Sequence, residues 1–288
     1  MQRVALVTDS TAGLPPAIAA ELGVRVVPAS FAFADERVVD GSLPWGEVYR
    51  RMEREGTAPR TFGVAESGFR EAFSAGLAEL GAVFCVLAPF DVNPSFTTAC
   101  AAMLAIQFDQ PEARIKVANA GVGSAGLGAL VMSLAGLAQR GATTAELVAA
   151  VDELEPRSDS LFAVAEPRWL ERAGKLQMVE ERLGELDGGN PVVRLGTRVT
   201  GVVLAEDFDE AVEVAVLRAG LRAGDAALNV EVLHANAPGR AQAVASMARE
   251  RYRVARLEVG ELPATHGAQL GPGAVGIGVC PAVEGTNA

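Results

Sequence analysis

A run of three polar residues near the start of the chain, Asp9-Ser10-Thr11, could carry chemistry. It follows the apolar segment Val-Ala-Leu-Val and precedes a helical pattern. A hydroxyl in such a turn can be a nucleophile, can donate to an anion, or can simply shape the turn. The chain has no Gly-x-Ser-x-Gly elbow, and its histidines are His234 and His266. A small-molecule enzyme, a hydrolase or transferase using Ser10 or Thr11 with a histidine, therefore stays open as one hypothesis.

A glycine motif in the middle of the chain resembles a dinucleotide site. Residues 121–126 read Gly-Val-Gly-Ser-Ala-Gly. Such a site also needs a second strand that ends in an acidic residue about 20 positions later. The acids at that distance, Asp152 and Glu153, lie in a helical pattern instead. We interpret the glycines as packing residues and expect no cofactor.

A third candidate is a helix start with several polar side chains. Asn93 is a good N-cap, Pro94 suits the first helical position, and Ser95, Thr97 and Thr98 follow. The free amides and the dipole of a helix N-terminus favour a bound anion. An ordinary capped helix gives the same pattern, so the local sequence leaves both readings open.

Metal and disulfide chemistry have no support in the sequence. The three cysteines lie in separate apolar runs, and neither a Cys-x-x-Cys pair nor a Cys/His ligand spacing occurs. We expect buried free thiols and no bound metal.

The elements that would position these residues alternate along the chain. We predict strands at 3–8, 24–30, 82–88, 114–118, 160–165, 191–195, 199–204, 226–234, 254–259 and 274–280. We predict helices at 15–22, 44–55, 66–80, 94–107, 124–139, 143–154, 167–173, 177–185, 207–223 and 238–251. This alternation is typical of an α/β fold with mostly parallel sheets, which bind ligands beyond the carboxyl ends of their strands. A charged, proline-bearing stretch, Glu-Leu-Glu-Pro-Arg-Ser-Asp-Ser, predicts two α/β domains, 1–155 and 156–288.

The composition of the chain limits the binding partners and the cellular location that we expect for it. Half of the 288 residues are apolar, and the net charge of −11 argues against nucleic acid or an anionic membrane as a default partner. The N-terminus lacks the pattern of a signal peptide. The most apolar helix candidate, 125–138, is shorter than the roughly 18–20 residues of a membrane span. We expect a soluble, cytoplasmic protein.

Several segments together resemble the DegV-like fatty-acid-binding proteins, the carrier subunits of bacterial fatty acid kinase. The resembling segments are Val-Thr-Asp-Ser-Thr with its Leu-Pro helix start, VRVVPASFAF, VVDGSLPWGEVYRRM, SAGLGALV, WLERAGKL, LHANAP and GPGAVG. They follow the family's order along nearly the whole chain. The resemblance implies a DegV-like pair of domains with a ligand tunnel at or near their interface. The second domain would form much of the tunnel, and the closing strand would return toward the first.

The resemblance also implies a function and a set of site residues. The chain would bind a long-chain fatty acid and present its carboxylate to a separate kinase, without catalysing a reaction itself. The implied partners are the kinase, the fatty acid and, transiently, a membrane. By position, Thr61 and Asn93 would hold the carboxylate, with Ser95 beside them. Supporting polar residues would be Ser10, Thr11, Phe62, Arg172, Lys175, His266 and Gln269.

The chain departs from the family pattern at the head-group loops. Phe62-Gly63-Val64 stands where the family has Ser-Gln-Pro, and Asn93-Pro94-Ser95 stands where it has Ser-Gly-Thr. Gln269 occupies the usual histidine position, with His266 three residues earlier. A relative that has lost fatty-acid binding is therefore a third hypothesis.

Overall fold

The computed structural model describes residues 3–186 and 188–283. The strands are β1 Ala5–Asp9, β2 Val24–Val27, β3 Ser30–Phe33, β4 Glu36–Val39, β5 Arg60–Phe62, β6 Val83–Leu87, β7 Ile115–Asn119, β8 Asp159–Ala163, β9 Asn190–Leu195, β10 Val199–Ala205, β11 Leu228–His234, β12 Val254–Glu261 and β13 Val275–Pro281. The α-helices are α1 Pro16–Leu22, α2 Trp45–Glu55, α3 Glu66–Leu80, α4 Ser95–Asp109, α5 Ala125–Gln139, α6 Thr144–Leu154, α7 Arg168–Arg172, α8 Leu176–Leu183, α9 Phe208–Ala219, α10 Pro238–Arg251 and α11 Ala264–Leu270.

The first sheet is parallel throughout, in the order β2-β1-β6-β7. Every residue of β1 and β6 is buried, as expected for central parallel strands that helices cover on both faces. Their carboxyl ends lie side by side, so the turns after Asp9 and Leu87 meet at one edge. This edge carries the polar residues predicted from the sequence.

The second sheet has six strands in the order β10-β9-β8-β13-β11-β12. The α/β class is confirmed, but the expectation of mostly parallel strands does not hold in this sheet. Four of its five pairings are antiparallel, and β11–β12 is the parallel one. Hydrophobic periodicity identifies a strand without giving its direction. The short β9–β10 connection and the last strand, which inserts between β8 and β11, set the pairing here.

A small antiparallel sheet, β4-β3-β5, was largely missed by the sequence analysis. The predicted strand 24–30 ends at Val27, and a new strand begins at Ser30 after Pro28. Pro28 has no N–H for a ladder, so the strand ends there. In the new sheet Phe31 pairs with Thr61, which places Thr61 over the carboxyl edge of the first sheet.

Helix α11 was predicted as a loop because prolines and glycines surround it. It begins after Pro263 and ends at Gly271, whose φ is +82°. A proline before a helix and a glycine after it are normal boundary residues. Helix α11 carries both His266 and Gln269 on one short, mostly buried segment.

Helix α5 explains the glycine motif. Its residues 125–136 are all buried, and it packs on β11 and β13. A Cβ atom at Gly126 of the motif would lie 2.8 Å from Ser160 Cβ and 2.9 Å from the Asp159 carbonyl oxygen, so this close approach to β8 favours glycine. The proposed division at residue 155 falls between α6 and β8, while α5 packs on strands beyond it. The domain boundary stays a prediction.

The helices within residues 3–186 and 188–283 include none that is long and apolar enough to cross a membrane.

Candidate functional site

The turn after β1 is organised by Asp9. Residues Ser10–Ala12 form a 3₁₀ turn, which Asp9 caps by accepting the Thr11 N–H at 3.1 Å. The Thr11 hydroxyl donates to the same carboxylate oxygen at 2.5 Å. Gly13 ends the turn with φ +77°, a conformation that favours glycine. The turn is thus held by a buried carboxylate.

Asn93 joins this turn to the start of α4. Its side-chain NH₂ donates to Asp9 Oδ2 at 2.6 Å and to Thr11 Oγ1 at 3.2 Å. Its carbonyl oxygen accepts the Ser95 N–H at 3.0 Å. The helix begins at Ser95 with Pro94 in the N-cap position, one residue later than predicted, and Asn93 accepts from its first N–H. Both amide hydrogens of Asn93 point to the Asp9 network, and neither is free.

The Asp9 carboxyl is completely buried, and this changes its pKa. Complete burial raises its pKa, and hydrogen bonding by Ser95, Thr11 and Asn93 offsets part of this rise. Three neutral donors thus stabilise one buried carboxylate without a cation. Its partners are held in place as long as the charge is present.

Ser95 is enclosed by the loop that follows β5. Its hydroxyl accepts the Val64 N–H at 3.0 Å, and Thr98 Oγ1 donates to the Val64 carbonyl at 2.8 Å. A Cβ at Gly63 would lie 2.7 Å from the Ser95 nitrogen, so the loop packs directly on the helix start. Ser95 lies beside Asn93 as expected but lines neither of the cavities described next.

An inner recess lies at the junction of β5, α11 and the turn after β6. It is lined by Thr11, Thr61, Phe62, Val92, Asn93, Pro94, Thr265, His266 and Gln269. Six of the residues implied by the family resemblance or singled out as supporting ones thus meet at one place. The volume of the recess is about 10 Å³, close to the lower limit for one water molecule.

His266 is the most unusual side chain of the inner recess. It is 2% exposed, and neither ring nitrogen has a hydrogen-bond partner among the described residues. The imidazole lies near the carbonyls of Thr11 and Val92, but burial dominates and lowers its pKa to about 4. At neutral pH His266 is therefore an uncharged ring with one free N–H donor and one free acceptor.

Gln269 shares this environment. It lies three residues after His266 on α11, and residues at this spacing occupy one helix face. Its buried Oε1 has no partner within the described chain, while Nε2 donates to the Thr265 carbonyl at 3.4 Å. Gln269 stands at the family's histidine position, and His266 lines the same recess. Buried polar atoms without partners are rare, and three of them lie on the two α11 residues that line this recess.

An outer cleft of about 420 Å³ lies outside the recess. Thr61, Asn93 and Gln269 line both spaces. The charged residues of the cleft are Arg60, Arg172, Lys175 and Asp91. Three cations against one acid favour an anion there, although the whole chain is acidic. The Arg172 guanidinium lies 4.8 Å above the ring of Trp169.

Ser10 and His234 lie away from this site. The Ser10 hydroxyl donates to Asp40 at 2.8 Å and accepts the Ala29 N–H at 3.1 Å. His234 accepts the Ala237 N–H at the end of β11. Within the described residues no histidine bonds to the Ser10 or Thr11 hydroxyl, so no nucleophile–base pair is formed.

Metal binding has no visible basis in the part of the chain that is described. No group of three or more His, Cys, Asp or Glu side chains that could hold a metal ion occurs among residues 3–186 and 188–283.

Four polar residues have no predicted role in the site although they lie around it. Asp9 was named only as part of the polar run after the first strand, and Asp40, Arg60 and Thr265 were not singled out. An acid at the end of a buried strand, directly before two hydroxyl residues, was the signal for Asp9. Arg60 and Thr265 lie on elements that the sequence did not reveal, β5 and α11.

The chain matches a described protein family over almost its full length. The profile of the family described as "Uncharacterised protein, DegV family" matches residues 3–282. A DegV domain-containing protein of Streptomyces coelicolor is 28% identical over 281 residues, which cover 96% of this chain and 98% of that protein.

Solved structures share the fold. A protein from Thermus thermophilus, described under the heading "Fatty Acid Binding of a DegV family Protein", superposes with a TM-score of 0.85 at 25% identity, over 97% of this chain and 99% of that one. A stearic-acid-binding protein from Eubacterium ventriosum superposes with a TM-score of 0.84 at 19% identity, over 96% and 98% of the two chains.

Proposed function

The chain belongs to the DegV family, and on this basis we propose that it binds a long-chain fatty acid and presents the carboxylate to a separate kinase. The observation that carries the proposal is the unpartnered, buried imidazole of His266 in the inner recess. The fatty acid binding described for the Thermus thermophilus relative supports the same ligand class.

The recess offers donors for a carboxylate. The His266 ring nitrogens form no hydrogen bond among the described residues, the Thr61 hydroxyl belongs to a half-buried residue of the lining, and Gln269 has a second N–H. Neutral donors aimed at a buried anion give short, strong hydrogen bonds. Asn93 contributes indirectly, because its amide already serves Asp9 and Thr11. This assignment places Thr61 and His266 in contact with the carboxylate and Asn93 behind them.

The acyl chain supplies most of the affinity. In this proposal it runs from the inner recess into the apolar interior between the two large sheets, against residues 156–288. Each buried CH₂ contributes roughly 0.8 kcal/mol. The recess of about 10 Å³ is smaller than a carboxylate, so binding displaces side chains at its rim. Thr61, Phe62 and Gln269 are the half-buried residues of that rim.

The outer cleft is the proposed exit toward the kinase. Arg60, Arg172 and Lys175 surround a space that shares Thr61 with the recess. An anionic phosphate that approaches a carboxylate held at Thr61 meets these cations. The carrier orients the carboxylate, and phosphoryl transfer belongs to the kinase. A cytoplasmic location follows from such a partner.

The alternative function is that of an interaction protein, in which the chain has lost the fatty-acid binding of its relatives. The small recess and the committed amide of Asn93 favour it.

Turnover by a fatty acid kinase tests the proposal. Kinase, ATP and palmitate are combined with wild type, Thr61→Ala, Asn93→Ala or the exposed control Thr97→Val. We expect acyl phosphate with wild type and with the control, and at least tenfold less with Thr61→Ala. Equal turnover with all four proteins contradicts the site assignment, and no turnover with any of them contradicts the kinase role.

A further inference from the structure

A second, larger cavity lies on the other side of the Asp9–Thr11 turn. This apolar groove has a volume of about 690 Å³ and is formed by α1, β2, the loop 40–45 and the end of β12. Ligand pockets generally have volumes of about 300–1,000 Å³. The turn separates the two sites, because Ser10 lines the groove while its neighbour Thr11 lines the inner recess.

The walls of the groove are apolar. Leu14 and Val24 are buried, and Val26 is half-buried. Leu43 is 38% exposed, and its neighbour Pro44 continues the apolar rim. An apolar surface of this size in a concave site favours the body of an organic molecule.

The charged residues that line the groove are both acidic. Asp40 is 4% exposed and accepts from Ser10 at 2.8 Å and from Trp45 Nε1 at 2.7 Å. Thr265 Oγ1 adds a third contact to Asp40 at 3.4 Å. These partners are neutral, so no neighbouring cation cancels a charge on Asp40, while burial raises the pKa of this carboxyl.

Glu261 is the second acid, at the end of β12. It is half-buried and forms no ion pair among the described residues. Arg50 of α2 approaches Glu261 beside Gly46 but does not line the groove. Lysine and arginine are absent from the described lining. The field in the groove therefore favours a cation and opposes a carboxylate.

Trp45 completes the pattern. Its indole lines the groove and donates to Asp40. Among aromatic side chains, tryptophan attracts an ammonium group most strongly. An indole and two carboxylates in the lining of one apolar groove are the chemistry that recognises an alkylammonium group.

We propose that the apolar groove is a second ligand site, which binds an organic cation with an alkyl body. Trp45 and Glu261 contact the ammonium group, and Asp40 adds its charge from the floor. Leu14, Val24 and Val26 cover the alkyl body. The site has the opposite charge preference from the inner recess and does not depend on fatty-acid binding.

Calorimetric titration with three probes of similar length tests this site. The probes are octyltrimethylammonium, octan-1-ol and octanoate. We expect the ammonium to bind at least about tenfold more tightly than the alcohol, as a desolvated cation–π contact with a carboxylate predicts. Octanoate should bind to the groove more weakly than the alcohol. Equal affinities for ammonium and alcohol overturn the proposal.

Variants separate the charge effect from the apolar contact. Glu261→Gln and Trp45→Leu should each reduce the preference for ammonium over alcohol at least about threefold. The exposed control Glu153→Gln should leave it unchanged. An unchanged preference in both groove variants overturns the proposal.

Competition with palmitate distinguishes the groove from the inner recess. Saturating palmitate should leave the affinity for octyltrimethylammonium within a factor of two. Displacement by palmitate would place the acyl chain in the groove and overturn a separate cation site. A protein that binds the ammonium but no palmitate would support the groove and contradict the proposed function.

Discussion

Asn93 donates its side-chain amide to the carboxylate of Asp9 across 2.6 Å, although the two residues lie 84 positions apart. The bond links the turn after β1 to the first residues of α4 and orients Thr11 between them. The carboxyl edge of the first sheet is thus held by a buried acid. The bond between Asn93 and Asp9 therefore helps to position Thr11 and Asn93 in the lining of the inner recess.

Removing the charge of Asp9 should destabilise the carboxyl edge of the first sheet. In Asp9→Asn the new amide meets the NH₂ of Asn93, and the bonds from Thr11 lose a charged acceptor. Because a hydrogen bond to a charged group contributes about 1.5–3 kcal/mol, we expect the free energy of unfolding to fall by about 2 kcal/mol. Urea denaturation measures this change. The exposed neighbour variant Asp91→Asn should change it by less than about 0.5 kcal/mol, and equal effects would contradict the role of Asp9.

His266 should make the protein less stable in mild acid. The unfolded chain binds a proton at this residue near pH 6.5, whereas burial lowers the pKa of His266 to about 4 in the folded chain. Between these values the unfolded state binds more protons, so stability falls as the pH falls. From pH 7.5 to 5.5 this contribution amounts to about 1 kcal/mol.

The comparison with His266→Gln isolates this contribution. The variant should lose about 1 kcal/mol less than wild type between the two pH values, as measured by urea denaturation at each. His234→Gln should recover a smaller share, because burial lowers the pKa of His234 but the nearby Glu261 offsets part of that shift. Identical pH dependence in wild type and His266→Gln would mean that the imidazole is not buried in neutral form.

Gly63 should tolerate no side chain. A Cβ there would lie 2.7 Å from the Ser95 nitrogen and 3.0 Å from the ring of Pro94. Gly63→Ala should separate β5 from the start of α4 and lower the free energy of unfolding by about 1–3 kcal/mol. The matched variant Gly239→Ala, in a helix with open space around it, should be neutral or slightly stabilising. Thermal unfolding compares the two, and equal stability would contradict the close packing.

Much of this architecture follows from local patterns. Helix α3 and helix α10 have the predicted bounds, 66–80 and 238–251, because apolar spacing and end signals agree there. The polar residues Asp9, Ser10 and Thr11 at the end of β1 also indicated that the carboxyl edge of the first sheet is polar. Thr61, Asn93 and His266 were placed through the family resemblance, and the structure brings them to one recess.

The remaining features depend on long-range contacts. Strand β5 has three residues and no alternation, so its pairing with β3 defines it. Helix α11 has prolines on both sides and a glycine within it, and its burial stabilises it against these local preferences. The Asn93–Asp9 bond joins residues with no sequence signal for each other. Neither the orientation of an amide nor the direction of a strand is readable from periodicity.

Phe62 should control entry to the inner recess. It is half-buried at the rim, with the Arg37 guanidinium 4.5 Å from its ring centroid. Phe62→Ala should speed the association of palmitate in stopped-flow fluorescence, because less apolar surface has to move. The cost in stability should stay below about 2 kcal/mol, since part of the ring is already exposed. Slower association in the variant would mean that Phe62 contacts the ligand instead of restricting access.

Native mass spectrometry of the gently purified protein tests the central claim most directly. The account predicts one long-chain fatty acid per chain in wild type and in the exposed control Thr97→Val, and at least tenfold lower occupancy in the double variant Thr61→Val/His266→Gln. A folded wild-type protein that carries no fatty acid and takes up none from added palmitate would contradict it.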